Sequence, residues 1–243
     1  MRWSDTGIIV AINKSSESSL IIAIFTNNHG LHRGYCAFNK KSMPTLQVGN
    51  IVAVTWNARL STHLGRFQLE LVESVPAFFL HDFNRMVALS AISRTVEKIL
   101  PERELHQKVY DQYYMLIQCL KRSESWTIHY IKLELIILEE LGFGLDFSHC
   151  PINNTTIDLA FISPKTGRVI SEVVGRPYKE KLLNLPKVLR QIHYDHLSVV
   201  SLGIDFAECL TITSYFLYKH CFHPHNIDIP IERQLLYDAY RRN

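Results

Sequence analysis

The sequence predicts an α+β protein in which a small N-terminal β-barrel is followed by a mainly helical domain with an inserted β-hairpin. Three observations support this fold class. The first 78 residues contain short β-branched segments separated by turn-forming residues, and no helix strong enough to connect parallel strands. After Pro76, the spacing of apolar residues changes from two to the helical period of 3.6. After Cys150 the helical pattern stops, and two strand-like segments flank a turn at residues 163–167.

The predicted barrel has five strands, and the last of them has the clearest pattern. In residues 66–73, Phe67, Leu69 and Leu71 alternate with polar residues, as expected of a strand with one buried face. The other predicted strands are residues 7–12, 20–25, 31–38 and 51–56. Five short strands in one such segment predict a closed or nearly closed barrel, which we assign to residues 1–78.

The second predicted domain, residues 79–243, is mainly helical. Its helices are predicted over residues 78–100, 101–119, 126–141 and 203–220, and after Pro230. We expect Pro101 in the first turn of the second helix, Ser125 as the N-cap of the third and Gly142 at its end. The β-hairpin excursion is assigned to residues 147–178.

One carboxylate lies in an apolar part of the third predicted helix. Glu134 has Tyr130 and Leu138 four residues away and isoleucines three residues away, so no neighbour on its own helix can neutralise it. Burying an unpaired carboxylate is costly. We therefore predict that Glu134 forms a buried ion pair with a cation from another element, in preference to a catalytic role.

The composition is typical of a folded domain protein, with 47% hydrophobic and 20% charged residues. No apolar run is long enough to cross a bilayer, and the N-terminus lacks the apolar segment of a signal peptide, so a cytoplasmic protein is expected. The five cysteines are scattered without a C-x-x-C pair. They are predicted to be small buried side chains without a disulfide framework.

Basic residues are concentrated in two zones of the chain. Residues 1–78 carry seven Lys and Arg against four Asp and Glu, and residues 165–190 carry seven against two. Two separated basic zones favour an anionic polymer over a small anion as the ligand, although ordinary solvated surface is the alternative.

The candidate DNA-binding residues follow from these zones. In the barrel they are Arg33, Lys40, Lys41, Arg59 and Arg66, and in the second zone Lys165, Arg168 and Arg176. Tyr35, Phe38 and Trp56 are interleaved with the first set, and bases can stack on such rings while cations contact phosphates. We expect Trp56 and Phe67 in the barrel core, and phosphate contacts from the polar loop that holds Lys40 and Lys41.

Other chemistry has weaker support. The sequence has no phosphate-binding loop, no dinucleotide fingerprint and no G-x-S-x-G motif, so no catalytic residue is predicted. His149-Cys150 and the cluster at residues 220–225 lack the paired spacing of a structural zinc site, so no metal and no cofactor is predicted. Two alternatives remain open: a metal-dependent nuclease or hydrolase that uses the twelve histidines, and a protein adaptor that binds no DNA.

Several short motifs in a fixed order carry a resemblance to a known family. They are Trp3-x-Asp5-x-Gly7-Ile-Ile-Val10, Glu17-Ser-Ser19, Thr26-x-x-His29-Gly30, Leu46-Gln-Val-Gly49, Leu133-Glu-Leu135 to Leu141-Gly-Phe-Gly-Leu-Asp146, Ser163-Pro-Lys-Thr-Gly167 and Pro177-Tyr178. With these motifs, which extend over nearly all of the chain, the sequence resembles the RecO family of bacterial recombination mediators.

The resemblance implies an N-terminal OB-fold joined to a helical domain. It implies a DNA repair and recombination protein that binds single- and double-stranded DNA and anneals complementary strands without being an enzyme. The implied partners are RecR, usually RecF, and through them RecA, which is loaded onto DNA coated by the single-stranded DNA-binding protein. A cytoplasmic, nucleoid-associated location is expected on the same ground.

Two further expectations come from the resemblance. The family contacts the acidic, apolar C-terminal tail of the coating protein through its helical domain, and Lys132, with His129 on the same helix face, is the candidate receptor for that tail. Many relatives carry four cysteines in the excursion, arranged as a zinc finger. This chain retains Cys150 alone in that segment, so zinc is not carried over and the hairpin is expected to hold together by strand pairing and packing.

Overall fold

The computed structural model describes residues 1–40, 42–60, 62–122, 125–194 and 205–241. The strands of these residues are β1 (Arg2–Lys14), β2 (Ser19–Thr26), β3 (Gly30–Ala37), β4 (Ile51–Asn57), β5 (Arg66–Glu73), β6 (Leu159–Ile162), β7 (Val169–Ser171) and β8 (Leu183–Asn184). The α-helices are α1 (Phe83–Ile99), α2 (Gln107–Arg122), α3 (Trp126–Glu140), α4 (Glu172–Gly175), α5 (Lys187–His193), α6 (Asp205–Leu217) and α7 (Ile231–Arg241). The chain forms two compact units, one of residues 1–122 and 229–236 and the other of residues 123–228 and 237–243.

The first five strands close into a barrel in the order β1-β2-β3-β5-β4. β1 pairs with both β2 and β4, and an irregularity between Ile9 and Ala11 lets this long strand bend from one partner to the other. The barrel closes where β3 and β5 run parallel, with Tyr35 opposite Arg66. The predicted N-terminal OB-fold is confirmed, and β1 is longer than the predicted segment.

The barrel interior is filled by side chains at alternating positions of its strands. Ile9, Ile22 and Val52 are fully buried, and they pack in one cluster with Trp56 and Phe67. Both aromatic rings are therefore core residues, as predicted. The alternation of β5 ends early: Leu71 was expected on the buried face but is 39% exposed.

Helices α1 and α2 pack within the same unit as the barrel. The ring of Tyr110 on α2 meets Phe25 of β2 edge-on, with 5.6 Å between centroids. The hydroxyl groups of Ser93 on α1 and Tyr113 on α2 lie 2.6 Å apart in the buried space between these helices. Residues 79–122 thus belong to the same compact unit as the barrel, and the domain boundary at residue 78 stays a prediction.

The prediction that Pro101 begins the second helix is wrong. α2 starts at Gln107, and the preceding segment runs along the barrel instead. Glu102 forms a bridge with Leu31 of β3, and the N–H of Arg103 donates to the Leu31 carbonyl at 2.8 Å. Arg103 takes a left-handed φ of 66°, which a helix start cannot accommodate. Pairing with the barrel edge overrides the local helical signal of the proline.

The second unit is built around α3, which packs against α5 and α6. The rings of Trp126 and Tyr130 on α3 meet Phe206 of α6 edge-on, at 5.6 and 5.8 Å between centroids. Gly142, with φ of 84°, ends the helix as predicted. Its N–H donates to the Glu139 carbonyl and the next N–H donates to the Leu138 carbonyl, the two bonds of a Schellman motif.

The excursion contains the predicted hairpin and one strand more. β6 and β7 pair antiparallel around the turn at residues 163–167, where the N–H of Gly167 donates to the Ser163 carbonyl at 2.9 Å. β8 pairs with the other edge of β6, beyond the predicted end of the excursion at residue 178. The two-residue length of β8 explains why its pattern was not detected in the sequence.

Among the described residues, no helix combines the length and the hydropathy that a membrane span requires.

Candidate nucleic-acid interface

The outer surface of the barrel carries a groove where β3 meets β5. Two adjoining depressions of about 640 and 500 Å³ form it, and both are lined by Tyr35, Asn57 and Arg66. Arg59 lines the smaller depression and Gln68 the larger. We call the surface formed by these five residues the barrel groove.

Strand register explains why these residues come together. Arg66 is the Cα partner of Tyr35 on one side and of Asn57 on the other. Asn57 is in turn the partner of Arg2 on β1. Residues at the same level of neighbouring strands point to the same side of a sheet, so Arg2, Asn57, Arg66 and Tyr35 form one exposed row across four strands.

The loop before β5 is held in place by a glycine. Gly65 has φ of 75°, and a Cβ there would lie 2.3 Å from the indole nitrogen of Trp56. That nitrogen donates to the Leu64 carbonyl at 3.0 Å, and the Gly65 carbonyl accepts from the N–H of Tyr35 at 2.9 Å. Close packing of backbone against indole therefore fixes the edge of the barrel groove.

The barrel groove combines cations with an exposed aromatic ring. Arg59 and Arg66 are exposed, and Tyr35 is 41% exposed. Phe38, which is 39% exposed, follows β3 and lies outside the groove. Lys40 lies exposed in the turn that follows β3, while Lys41 falls outside the described residues. Guanidinium groups beside open aromatic faces can contact phosphates and stack bases at the same time.

Arg33 has a different environment from the other predicted barrel cations. Its guanidinium donates to Glu97 Oε1 at 2.6 Å and forms a second ion pair with Glu102. Burial acts against its charge, but the hydrogen bond to Glu97 and the charge of Glu102 raise the pKa of Arg33. Two carboxylates already neutralise this side chain, so we leave Arg33 out of the barrel groove.

The basic residues of the second zone lie on the excursion and its flank. Lys165 is exposed in the hairpin turn, and Arg176 is exposed at the start of a 3₁₀ helix that continues with Tyr178, itself 61% exposed. Arg168 donates to Asp146 at 3.0 Å, and Arg176 lies 3.3 Å from Glu172. Both ion pairs are solvent-exposed, which leaves them weak and open to exchange.

The predicted tail receptor lies on α3. His129 and Lys132 are three residues apart on one helix face, and both side chains are partly exposed.

Glu134 lies on a different face of α3. That carboxylate is fully buried and accepts a hydrogen bond from the Thr213 hydroxyl at 2.5 Å. Its predicted burial is confirmed, and the ion pair stays a prediction.

Cys150 lies in a loop that is organised around its sulfur. The thiol is fully buried. Although burial acts to raise it, hydrogen bonds from the backbone N–H groups of Ser171, Ile152 and Asn153 lower the pKa of Cys150. The Asn153 side chain donates to the Ser171 hydroxyl at 3.0 Å, which links the loop to the end of β7. Hydrogen bonds thus join the loop at residues 150–153 to the end of β7.

In the ranges that the structure describes, no three His, Cys, Asp or Glu side chains come close enough together to hold a metal ion. The donor set around Cys150 consists of amide and hydroxyl groups, which do not fit a structural zinc site.

A further depression in the barrel unit was not predicted from the sequence. It has a volume of about 560 Å³ and is lined by Met1, Arg2, Trp3, His32, Trp56 and Arg103. We call it the aromatic pocket. Arg103 comes from beyond the predicted barrel segment, and only the non-local pairing of Glu102 with β3 brings it here. The Trp3-x-Asp5 motif was the one signal that pointed to this end of the barrel.

Comparison with known proteins gives a consistent result over most of the chain. The family model described as "Recombination protein O N terminal" matches residues 1–75, and that described as "Recombination protein O C terminal" matches residues 80–226. Proteins named "DNA repair protein RecO" are similar over most of their length. That of Ehrlichia chaffeensis is 39% identical over 90% of this chain and 90% of its own. That of the Wolbachia strain wRi is 38% identical over 97% and 99%, and that of Rickettsia bellii 38% over 93% and 91%.

Proposed function

This chain belongs to the RecO family, and from that premise we propose that it binds single- and double-stranded DNA through the barrel groove and anneals complementary strands. Membership of the family supports a role in DNA repair and recombination. We also propose that the protein acts without catalysis. Together with RecR and usually RecF, it helps to load RecA onto DNA coated by the single-stranded DNA-binding protein.

The observation that carries the proposal is the row of Arg66, Asn57 and Tyr35 beside Arg59. On a closed barrel these side chains form one exposed, basic and aromatic surface that is open along its length. Phosphate contacts supply affinity that does not depend on sequence, and stacking on Tyr35 tolerates any base. Both properties suit a protein that must accept arbitrary strands.

Annealing on such a surface needs no catalytic residue. Cations lower the repulsion between two strands and raise the local concentration of each near the other. Base pairing then supplies the driving force. The exposed cations Lys165 and Arg176 of the second unit are proposed to hold the second strand or the duplex product.

An anisotropy titration with a fluorescein-labelled single strand tests DNA binding. The full-length protein should lose affinity steeply between low and moderate salt, because each phosphate contact to a single strand contributes roughly 0.7 to the slope of log K against log salt. Arg66→Glu should weaken binding and lower that slope by about 0.7. A flat salt response, or no binding at all, would contradict the proposal and favour a protein adaptor.

Arg122→Glu is a matched control for the change in charge. Arg122 is exposed at the end of α2, next to Lys121, which pairs with Glu73 at the far end of β5 from Arg66. An eight-residue strand separates the two ends by about 23 Å. Equal losses of DNA affinity in Arg66→Glu and Arg122→Glu would mean that net charge, rather than the barrel groove, accounts for DNA binding. The same pair of variants should differ in the annealing rate of two labelled complementary oligonucleotides.

We further propose that Lys132 and His129 receive the acidic, apolar tail of the single-stranded DNA-binding protein. A charge-assisted hydrogen bond between Lys132 and a tail carboxylate contributes about 1.5–3 kcal/mol, so Lys132→Glu should weaken binding of a labelled tail peptide by roughly tenfold or more. Lys179→Glu makes the same charge change at an exposed position of the 3₁₀ helix. Unchanged peptide affinity in Lys132→Glu would remove this assignment.

A further inference from the structure

The aromatic pocket is built from rigid walls. Trp3 stacks on His29 with 4.2 Å between ring centroids and lies nearly parallel to Trp56 at 5.7 Å. His32 meets Trp3 edge-on at 4.9 Å. Trp3 is partly exposed, whereas Trp56 is 2% exposed and forms the buried side of the cluster.

A buried carboxylate fixes the outermost ring of this cluster. Asp5 Oδ2 lies 2.8 Å from His29 Nδ1, and the Asp5 side chain is 2% exposed. The carboxylate also accepts from the backbone N–H groups of Thr6 and Asn28, each at 2.8 Å. Although burial acts to raise it, the hydrogen bonds from His29, Asn28 and Thr6 lower the pKa of Asp5. The His29 ring is thereby held against Trp3.

The interior of the pocket is uncharged at neutral pH. His32 is 7% exposed and its Nδ1 has no hydrogen-bond partner among the described residues. Burial and the charge of Arg103 lower the pKa of His32 to about 4, so the imidazole is neutral. The walls therefore present aromatic surface and a neutral polar ring, which suit a flat, uncharged group.

The rim of the pocket is positive. Arg2 is exposed at the start of β1, and Arg103 is exposed on the segment between α1 and α2. Arg103 keeps a left-handed φ of 66° because its N–H is bonded to the Leu31 carbonyl, and its guanidinium donates to the His63 carbonyl at 3.0 Å. Such a conformation costs about 1–3 kcal/mol in a residue other than glycine, and the surrounding structure must hold it.

The pocket is also connected to the barrel groove. Arg2, which lines the pocket, is the strand partner of Asn57, and Asn57 is the partner of Arg66 in the groove. Two strand spacings separate Arg2 from Arg66, which is about 9–10 Å. A single DNA strand that follows the row of exposed residues from the groove reaches the rim of the pocket within a few nucleotides.

We propose that the aromatic pocket holds one unstacked nucleotide of single-stranded DNA, with its base packed against Trp3 and its phosphate on Arg2 and Arg103. The inference rests on the proposed DNA binding and adds to it a site that contacts the base itself in addition to the phosphate. Duplex DNA cannot enter without giving up a base pair. The pocket therefore gives the protein a preference for single strands that a phosphate-binding surface alone lacks.

Two oligonucleotides of equal length and charge separate this inference from the proposed function. One is oligo(dT) and the other has the same backbone with abasic sites throughout. Stacking on Tyr35 in the barrel groove also favours oligo(dT), so the ratio of the two affinities is compared between the wild-type protein and Trp3→Ala. If the pocket takes a base, Trp3→Ala should lower this ratio roughly fivefold to 150-fold, the range expected for stacking of one base. An unchanged ratio would overturn the inference and leave DNA binding intact. Failure of both to bind would overturn the proposed function as well.

Intrinsic fluorescence locates the base. The chain has three tryptophans, of which Trp3 and Trp56 line the pocket while Trp126 lies on α3. Oligo(dT), but not the abasic strand, should quench the emission, and Trp3→Phe should remove most of this quenching. Trp126→Phe is the matched control and should leave it in place. Quenching that survives in Trp3→Phe but disappears in Trp126→Phe would contradict the proposal.

A variant that relieves backbone strain guards against loss of folding. Arg103→Gly removes the rim cation at a position where glycine is favoured by the positive φ, so the protein should stay folded. It should lower the ratio of oligo(dT) to abasic affinity. An unchanged ratio, or displacement of the oligonucleotide from the pocket by an acidic apolar peptide in the quenching assay, would overturn the assignment to a nucleotide.

Discussion

Lowering the pH from 8 to 5 should destabilise the protein through one buried histidine. His32 of β3 is 7% exposed, and burial followed by the charge of Arg103 lowers its pKa from 6.5 to about 4. The charge of His29 acts in the same direction, whereas the charge of Glu102 and a hydrogen bond to the His29 backbone oppose it. Between pH 6.5 and pH 4, His32 is thus protonated in the unfolded chain and neutral in the folded protein.

The sign and size of the effect follow from this difference in pKa. Above pH 6.5, His32 is neutral in both states and its contribution to stability is complete. Between pH 6.5 and 4 the unfolded state binds more protons, so the free energy of unfolding falls as the pH falls. With these two values the loss is about 2 kcal/mol at pH 5 and approaches about 3 kcal/mol below pH 4, where both states are protonated.

Urea denaturation at pH 8 and pH 5, at constant ionic strength, measures this loss. The free energy of unfolding of the wild-type protein should fall by about 2 kcal/mol more than that of His32→Gln, which cannot titrate at this position. His81→Gln, at an exposed position before α1, controls for the removal of a histidine as such. If wild type and His32→Gln lost the same free energy between the two pH values, the linkage to His32 would be refuted.

Three further substitutions test packing in the second unit. Thr213→Val removes the hydroxyl that donates to the buried Glu134 and should lower the free energy of unfolding by about 1–3 kcal/mol in a urea titration. Gly142→Ala should cost about 1 kcal/mol because the helix end needs a left-handed φ, although a Cβ there meets no atom within 4 Å. Asn153→Ala should weaken the link to Ser171 by about 1 kcal/mol and speed proteolytic cleavage of the excursion. Elemental analysis of the wild-type protein should find zinc well below one equivalent, and a stoichiometric amount would refute the account of a metal-free excursion.

Much of the fold was predictable because its signals are local. The strands of the barrel have β-branched residues bounded by turns, and the end of α3 has a glycine where a left-handed residue is required. The start of α2 was not predictable in this way. Pro101 favours a helix start locally, but the pairing of Glu102 with Leu31 joins segments that are distant in the sequence. A long-range backbone contact leaves no periodic pattern.

The candidate site was likewise predictable where its residues are close in the sequence, and not where long-range contacts decide the environment of a residue. Arg59 and Arg66 flank the end of one strand and the start of the next, so their proximity follows from the predicted barrel. Arg33 has the same residue type in the same predicted sheet, yet its partners Glu97 and Glu102 lie 64 and 69 residues further along the chain. Charge and position alone cannot tell a cation that binds a ligand from one that stabilises the fold.

β3 explains why both kinds of cation occur so close together on the barrel. Arg33 and Tyr35 are two residues apart and therefore point to the same outer side of the strand. At Arg33 that side faces carboxylates from α1 and the segment after it, whereas at Tyr35 it opens onto the barrel groove. About 7 Å of strand thus separates a surface used for internal packing from one left to solvent. Because the acidic partners of Arg33 lie on the packed side, the exposed charges of Arg59 and Arg66 lie on the open side, where an incoming strand of DNA would meet them.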